Sequence, residues 1–424
     1  MTTSPAHSRH VVTPRRALSL VYLAVFGLMA GQQMLNPVLP PLARELGLSE
    51  LALGSVWTVG GAAVIVGSLL WGRIVTRWGH RRVLVVSLLA STLGLLGLAA
   101  VAQAGLHGRI APPVILTLML LSRGLVFGLA WAATPVAAQS YVVHVTTGER
   151  DRVRGMSMVG AAMGLGLAAG PAFGGLLSPS GLLVPAYVAP LLVAAVAVAV
   201  ARGLSGQPVR SLNRPVAKVS PRDPRVGPYL VTGFTMHFSL ATMLMTVGFV
   251  VQDRFHLDAR ATGSTTGLVM LAAAATLILT QVLVAPRSGW SPTRLIRGGV
   301  LVMVVGLVVV TVAPSAPILA IGAAGLGVGM GLGAPGFMTA PTLNATSDEQ
   351  CAVAGLLGAS SAVAFMLAPL LGTALYQVAP VAPYGLGVAA LMAVGAFTFL
   401  DPTMRAPSPA PERGRRSSTV SGQQ

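Results

Sequence analysis

One arginine lies deep within a long apolar stretch of this sequence. Arg123 is about eleven residues into an otherwise uncharged run that extends from 112 to 143. A charge in such a position is costly to bury and normally has a functional role. Its guanidinium group can bind a carboxylate through two parallel hydrogen bonds. The position therefore predicts an anion anchor or a charge relay; an arginine that bonds helix carbonyls and only holds the helices together is the alternative.

Side chains that could carry a proton are scarce in the apolar parts of the chain. The eleven acidic residues all fall between apolar runs or at their ends, so no carboxylate is expected inside a run. His237, about ten residues into another run, titrates near neutral pH and is a candidate proton site. A hydrogen-bonded core histidine is the alternative. Asp253, at the end of the same run, is a second candidate, with pairing to Arg254 or solvation as its alternatives.

A set of polar and aromatic side chains recurs at helical spacing in the first apolar run. Its members follow one another at intervals of three or four residues, and they are Tyr22, Phe26, Met29, Gln33 and Asn36. This spacing places them on one face of a helix. An aromatic, methionine and amide face suits ligands with polar and apolar parts. Hydrogen bonding between helices is the alternative.

The elements that must position these residues are membrane-spanning helices. Of 424 residues, 54% are hydrophobic and 9% are charged, whereas a soluble domain carries about 25% charged residues. Twelve apolar runs are each near the ~20 residues that a span requires. They cover roughly 17–41, 51–76, 83–105, 112–143, 155–178, 182–202, 227–252, 262–285, 298–313, 316–341, 352–378 and 382–400. This pattern excludes a soluble enzyme and a nucleic-acid-binding protein. The single cysteine, Cys351, excludes an internal disulfide and a cysteine-based metal site.

The arginines predict the orientation of the spans. They concentrate before the first run and after each even-numbered run, whereas the opposite gaps contain only Arg44, Arg109, Arg254 and Arg260. By the positive-inside rule, both termini and the arginine-rich loops are cytoplasmic. Residues 1–16 have no apolar core and are predicted to be a cytoplasmic tail rather than a signal peptide. Residues 401–424, rich in Pro, Ser and Arg, are predicted to be a disordered cytoplasmic tail.

A central polar stretch divides the chain into two parts. Residues 203–226 separate six runs from six, so 17–202 and 227–400 are predicted to be two six-helix bundles joined by a cytoplasmic loop. The segments before the fifth and eleventh runs match at Glu149 and Glu349 and at Gly155 and Gly355. Paired bundles of this kind enclose a midplane site that opens alternately to the two sides.

Two glycine-containing motifs stand out. The first, between the second and third runs, contains Gly72, Arg77, Gly79, Arg81 and Arg82. Glycine permits a tight turn there, and the basic cluster is expected to gate the cytoplasmic side; a basic turn that only sets topology is the alternative. The second, in the fifth run, contains Gly166, Gly170, Pro171, Gly174 and Gly175. Glycines let helices approach closely and Pro171 kinks the helix, with ordinary small-residue packing as the alternative.

These motifs resemble those of the major facilitator superfamily, and more narrowly of its twelve-helix drug:proton antiporters. The run from Gly166 to Gly175 matches the antiporter motif of this group at every defined position. The segment from Arg123 to Gly128 resembles its Arg-x-x-x-x-Gly motif, which is linked to proton transfer. Thr76 departs from the pattern, because the family has Asp at that place in the Gly72 motif. The resemblance implies a cavity lined by helices 1, 4, 7 and 10. Candidates on helices 4, 7 and 10 are then Trp131, Thr134, Met236, His237, Met243, Met330, Phe337 and Met338.

The sequence thus predicts an all-α integral membrane protein with twelve transmembrane helices in two pseudo-symmetric six-helix bundles. The resemblance implies a secondary transporter of the cytoplasmic (inner) membrane, not an enzyme, that exports small organic molecules in exchange for protons and so confers drug resistance. Since Arg123 has no carboxylate partner within the membrane, a carboxylate-bearing substrate such as a siderophore is one expectation. Solvation of Arg123 by Gln32, Gln33 or Asn36 is the alternative. A nutrient symporter or facilitator is the rival function. The expected partners are the substrate, protons and the bilayer, with no cofactor, metal or nucleic acid, and a monomer is expected.

Overall fold

A computed structural model describes residues 14–146, 148–204, 219–343, 345–346, 349–401 and 404. Most of the predicted N-terminal tail, central loop and C-terminal tail lies outside the described residues. Within the described part, all regular secondary structure is helical. This is expected for a chain whose backbone polar groups find no water inside a bilayer. The α-helices are α1 (Pro14–Met34), α2 (Leu39–Glu45), α3 (Glu50–Trp78), α4 (His80–Leu106), α5 (Pro112–Met119), α6 (Phe127–Val145), α7 (Glu149–Leu177), α8 (Leu183–Gly203), α9 (Gly227–Phe255), α10 (Ala259–Leu279), α11 (Ala285–Arg287), α12 (Pro292–Val312), α13 (Ala316–Leu343), α14 (Gln350–Val378) and α15 (Ala382–Leu400).

In this described part, twelve helical segments are long and apolar enough to cross a membrane, which confirms the predicted number of spans. A π-helical turn over Leu120–Val126 joins α5 and α6 into one span. A second π turn, Thr280–Val284, joins α10 and α11. Such turns interrupt the regular hydrogen-bond ladder of a helix and frequently mark functional sites. The short helix α2 lies between the first two spans and is too short to cross the membrane.

Two of the predicted runs differ from the helices that form. The first run does not continue as one helix to residue 41, because α1 ends at Met34 and the chain turns before α2. Pro37, in that turn, has no N–H with which to continue a helix. The ninth span begins earlier than predicted, at Pro292, because Ser291 caps α12. Its early arginine, Arg297, is accommodated by lying 4.0 Å from the ring centroid of Phe399.

The two halves of the molecule meet at the end opposite to the chain termini. We call described residues 14–204 the N-terminal half and 219–401 the C-terminal half. Between the middle of the molecule and that end, the Thr58 hydroxyl of α3 donates a hydrogen bond to the Met366 carbonyl of α14 at 3.0 Å. Toward the end that carries the termini, a Cβ added to Gly160 of α7 would meet no atom within 4 Å, and two glycines of α14 are equally free. We call the end where the halves meet the closed end, and the end that carries the termini the open end.

Candidate functional site

A cavity of about 420 Å³ lies between the two halves. This volume is within the range of sites for drug-sized ligands. Helices α1, α3 and α7 and the span of α5 and α6 line it from the N-terminal half, and α9 and α14 line it from the C-terminal half. The predicted residues Gln33, Asn36, Arg123 and Trp131 all belong to this lining. The structure thus brings together side chains from the first and fourth spans, as the sequence analysis expected.

Arg123 is the charged residue of this cavity. It belongs to the π turn of the fourth span, and it is only 4% exposed. Its guanidinium carbon lies 4.3 Å from the ring centroid of Phe127, a cation–π arrangement that offsets part of the cost of burial. Its Nε is buried and has no hydrogen-bond partner in the described part of the chain. An unpaired buried cation is expensive, so this guanidinium group is suited to bind an anion.

The amides of α1 do not solvate this arginine. The Asn36 side-chain amide donates to Gln33 Oε1 at 3.1 Å, so these two predicted residues bond each other. The side-chain oxygen Oε1 of Gln32 is buried without a partner among the described residues. The indole Nε1 of Trp131, eight positions after Arg123, is also buried without one. The predicted solvation of Arg123 by these amides is therefore wrong: Asn36 and Gln33 bond each other, and Gln32 Oε1 accepts no hydrogen bond from Arg123.

His237 lies beside the cavity rather than in its lining. Its Nδ1 is 2.8 Å from the Gly233 carbonyl and 3.3 Å from the Ser361 hydroxyl. The imidazole makes edge contacts with Phe337 and with Phe365, whose ring centroid is 5.8 Å away. Phe365 itself lines the cavity. His237 is thus separated from the cavity by one aromatic side chain.

Several other predicted positions do not line this cavity. Helix α13 contributes nothing to its lining, and Phe337 is buried against other residues. Tyr22 lies nearer the open end, where its hydroxyl approaches Gly155 of α7. Helices α3, α7 and α14 take the place predicted for α13, because contact between the halves at the closed end brings them to the centre. The adjacent glycines Gly60 and Gly61, both in the lining, are the sequence signal that could have indicated α3.

The glycine motif of α7 makes contacts on two sides. A Cβ on Gly174 would lie 2.0 Å from the Met34 carbonyl oxygen, and Gly166 and Gly170 face α1 in the same way. Gly175 instead faces the C-terminal half, where a Cβ would lie 2.9 Å from Gly267 Cα. Small residues are therefore required for packing within the N-terminal half and for closure against α10. Pro171, inside α7, contributes a carbonyl to the same contact with α10.

The basic motif forms the connection between α3 and α4. Gly79 is the single residue between these helices, and its φ is 78°, a value that residues with a Cβ rarely adopt. Arg81 donates to the Ala201 carbonyl of α8 at 2.6 Å. A Cβ on Gly72 would meet no atom within 4 Å. The Thr76 hydroxyl bonds the backbone one turn earlier. Arg77 and Arg82, the other basic residues of the motif, are exposed.

A cluster of charged residues joins the halves at the closed end. This closed-end cluster consists of Arg44, Glu50, Asp253, Tyr376 and Gln377. Arg44 of α2 binds Glu50 at 2.8 Å and also binds Asp253 of α9. The Tyr376 hydroxyl donates to Asp253 at 2.7 Å, and the Gln377 amide donates to Glu50 at 3.4 Å. Burial opposes the charge of Arg44, but its hydrogen bonds to Asp253 and Glu50 hold the pKa of Arg44 above its usual range.

The predicted pairing of Asp253 with Arg254 is wrong. Asp253 does not pair with its neighbour in the chain, because Arg254 donates to the carbonyls of Val310, Thr311 and Ala313 instead. These carbonyls lie at the end of α12, where the partial negative charge of the helix favours a cation. Asp253 is left to bind Arg44, which the chain places in the other half.

The model of the Major Facilitator Superfamily matches residues 21–350 of this chain. The chain belongs to this superfamily. It is 27% identical over 390 residues to the tetracycline resistance protein, class G, of Vibrio anguillarum, which covers 85% of this chain and 91% of that protein. It is 31% identical over 166 residues to the tetracycline resistance protein, class C, of Escherichia coli, which covers 38% of each. The solved structure of the human organic anion transporter MFSD10 (TETRAN) matches with a TM-score of 0.61 at 17% identity, over 91% of this chain and 99% of that one.

Membership of the superfamily confirms the predicted resemblance and fold. This member of the superfamily is a multi-pass membrane transporter with drug-efflux relatives, and it is not an enzyme. Its two six-helix bundles enclose the cavity described above, as inverted and parallel repeats do in such transporters.

Proposed function

We propose that this member of the superfamily exports small organic molecules, drugs or natural products, by alternating access and in exchange for protons. The observation that carries the proposal is the cavity between the two halves, which is closed at one end and leads toward an open end. Such a cavity becomes a pathway when the contacts at the closed end break and the helices at the open end come together. The likeness to the class G tetracycline resistance protein over 85% of the chain favours export over import.

The arginine distribution supports an orientation with the open end toward the cytoplasm. If both termini are cytoplasmic, as the positive-inside rule predicts, the open end faces the cytoplasm and the closed-end cluster faces outward. Substrate then enters from the cytoplasm or the inner leaflet. We propose the cytoplasmic membrane as its location, which the bacterial efflux relatives support. Because one chain encloses the cavity, we infer that a monomer is the transporting unit.

The chemistry of the cavity supports an amphiphilic substrate. Its walls are mainly apolar, and Arg123 is its one charged lining residue in the described part of the chain. Arginine binds carboxylates through paired hydrogen bonds, so a carboxylate-bearing natural product such as a siderophore is a candidate substrate. For the proton we propose His237, since it borders the cavity and histidine is the side chain whose ordinary pKa lies nearest to physiological pH. The closed-end carboxylates Asp253 and Glu50 are already paired with Arg44.

The test is substrate-evoked proton movement in everted membrane vesicles. The probes are tetracycline and a panel of matched cationic, neutral and carboxylate compounds, and the variants are Arg123→Ala and His237→Gln. We expect proton release with at least one probe. We expect His237→Gln to abolish the proton signal while it leaves downhill flux of the same probe, and Arg123→Ala to remove only the response to carboxylates.

A specific observation favours the rival function of a facilitator. Among the described residues, no aspartate or glutamate lines the cavity, although a desolvated carboxylate is a good proton carrier. Substrate flux without any proton signal in the vesicles would establish the facilitator. Flux directed only into the cytoplasm would establish an importer and contradict the proposal.

A further inference from the structure

The two halves contribute different chemistry to the cavity. Its C-terminal wall carries only apolar side chains, which are Leu244, Met245, Ala362, Phe365, Met366 and Pro369. The amides, the guanidinium group and the indole N–H groups of the lining all come from the N-terminal half. A ligand in this cavity therefore meets polar groups on one side and none on the other.

Two donors without protein partners lie on a single span. The buried Nε of Arg123 and the buried Nε1 of Trp131 have no hydrogen-bond partner in the described part of the chain. Both residues line the cavity. Buried N–H groups are normally paired, so each of these needs an acceptor that the protein itself does not supply. The N–H of Trp131 is buried, so a ligand acceptor binds it only when the indole turns toward the cavity.

The spacing of these donors sets a distance. Trp131 follows Arg123 by eight residues, which corresponds to roughly 12 Å along a helix that rises 1.5 Å per residue. One carboxylate cannot reach both positions. The two donors therefore match two separate acceptor groups at opposite ends of one ligand.

We infer that the cavity binds elongated amphiphilic monoanions in a fixed orientation. The anionic group binds Arg123, a second and uncharged acceptor oxygen binds the indole N–H of Trp131, and the apolar body rests against the C-terminal wall. The inference deepens the proposed function, since it takes this cavity as the transport site and names the substrate class. Arg123 acts as an anion subsite and Trp131 as a length-determining subsite.

The N-terminal and C-terminal walls of the cavity hold a ligand in different ways. Polar contacts hold the ligand to the N-terminal half, whereas apolar contacts with the C-terminal wall are non-directional. The ligand can then keep its two hydrogen bonds while the C-terminal half changes its position. Substitutions in the two walls should accordingly have different effects: those in the N-terminal half change which charge and length are selected, and those in the C-terminal half change affinity for the apolar body.

The test is direct binding to the full chain in lipid nanodiscs, with dansylamino alkanoic acids as probes. The sulfonyl oxygens are the uncharged acceptors, and acid chains of two, five, eight and eleven carbons vary the distance to the carboxylate. In the fully extended eight-carbon acid, the sulfonyl sulfur and the carboxylate carbon lie roughly 12 Å apart at ordinary bond lengths. Each acid is compared with its neutral primary amide, and binding to empty nanodiscs is subtracted.

For the unmodified protein we expect the eight-carbon acid to bind best and about tenfold or more tighter than its amide, the range for a charged hydrogen bond. Arg123→Gln should bring acid and amide to equal affinity. Trp131→Phe should flatten the dependence on chain length by about twofold to tenfold and leave the preference for acid intact. Trp71→Phe is the matched control, because the indole N–H of Trp71 already donates to the Leu129 carbonyl at 2.8 Å and Trp71 does not line the cavity.

The unmodified protein alone can overturn the inference. Equal affinity for acid and amide removes the anion subsite, and affinity that rises steadily with chain length removes the second subsite. If Arg123→Gln fails to fold, these two comparisons in the unmodified protein still test the inference. Binding as expected without proton-coupled export in vesicles would refute the proposed function and leave the site standing, whereas export of the panel without this binding pattern would do the opposite.

Discussion

A single methyl group at the contact between α7 and α10 should open the closed end. Gly267 of α10 faces Gly175 of α7, and a Cβ added to Gly267 would lie 2.6 Å from Gly175 Cα and 2.8 Å from the Pro171 carbonyl oxygen. Carbon atoms in contact normally lie about 3.5–4.0 Å apart. Both opposing groups are backbone, so no side chain can rotate away. In Gly267→Ala, the two helices must separate by roughly 1 Å.

The added methyl group destabilises only the conformation in which the closed end is closed. Overpacking of a tight contact costs about 1–3 kcal/mol, and Gly267 meets Gly175 only while the halves are closed at this end. The same free energy therefore shifts the equilibrium between the two conformations by about 5–150-fold. Gly174→Ala provides the contrast, because Gly174 packs against Met34 within the N-terminal half. It should lower the free energy of unfolding of both conformations and leave their ratio near its original value.

The assay is a distance measurement across the closed end. Spin labels at Arg109→Cys and Val381→Cys, two exposed positions, report the separation of the halves after the single cysteine is removed by Cys351→Ser. Double electron–electron resonance spectroscopy should show a second, longer distance between the labels in Gly267→Ala. Gly160→Ala is the matched control, since a Cβ there meets no atom within 4 Å.

Two results would refute this reasoning. An unchanged distance distribution in a folded Gly267→Ala protein would mean that the contact between Gly175 and Gly267 does not limit closure. An equal shift in Gly174→Ala would mean that the glycine motif acts through general stability and not through contact between the halves.

Two further predictions concern ion pairs outside the spans. Arg44→Gln removes the bridges of the closed-end cluster and should shift the same distance distribution toward separation by about 1–2 kcal/mol, more than the loss of an exposed pair would, because the cluster is a network. Arg260→Gln, at an exposed arginine of α10, should leave the distribution unchanged. At the open end, hydrogen bonds from Arg225 lower the pKa of Asp223. The stability from this pair should be fully present above the usual carboxylate pKa of about 4 and be lost as the pH falls through the lowered pKa of Asp223. Thermal unfolding of Arg225→Gln and the unmodified protein should therefore differ at neutral pH and converge in strong acid, and a constant difference down to the lowest pH would contradict this pairing.

Much of the fold could be predicted because the signals are local. The length and spacing of apolar runs indicate helices that cross a bilayer, and twelve such runs became twelve spans in the described part of the chain. Arg123 could be recognised as unusual from its depth in one run. Its π turn could not, because the irregular backbone depends on how the fourth span packs against α3 and α4. The lining from α14 was missed for a related reason: apolar residues such as Phe365 look alike in sequence whether they face lipid or a cavity.

The amino-acid sequence by itself determined that this chain crosses a membrane twelve times and that α7 can approach its neighbours closely. Hydropathy and the absence of a Cβ are properties of residues, and they act wherever the chain goes. Only the tertiary structure decided which residues meet. Arg44 and Asp253 are 209 positions apart, and the nearest arginine in the chain to Asp253 bonds elsewhere. Electrostatic pairing depends on distance in space, and that distance is set by how the two halves close against each other.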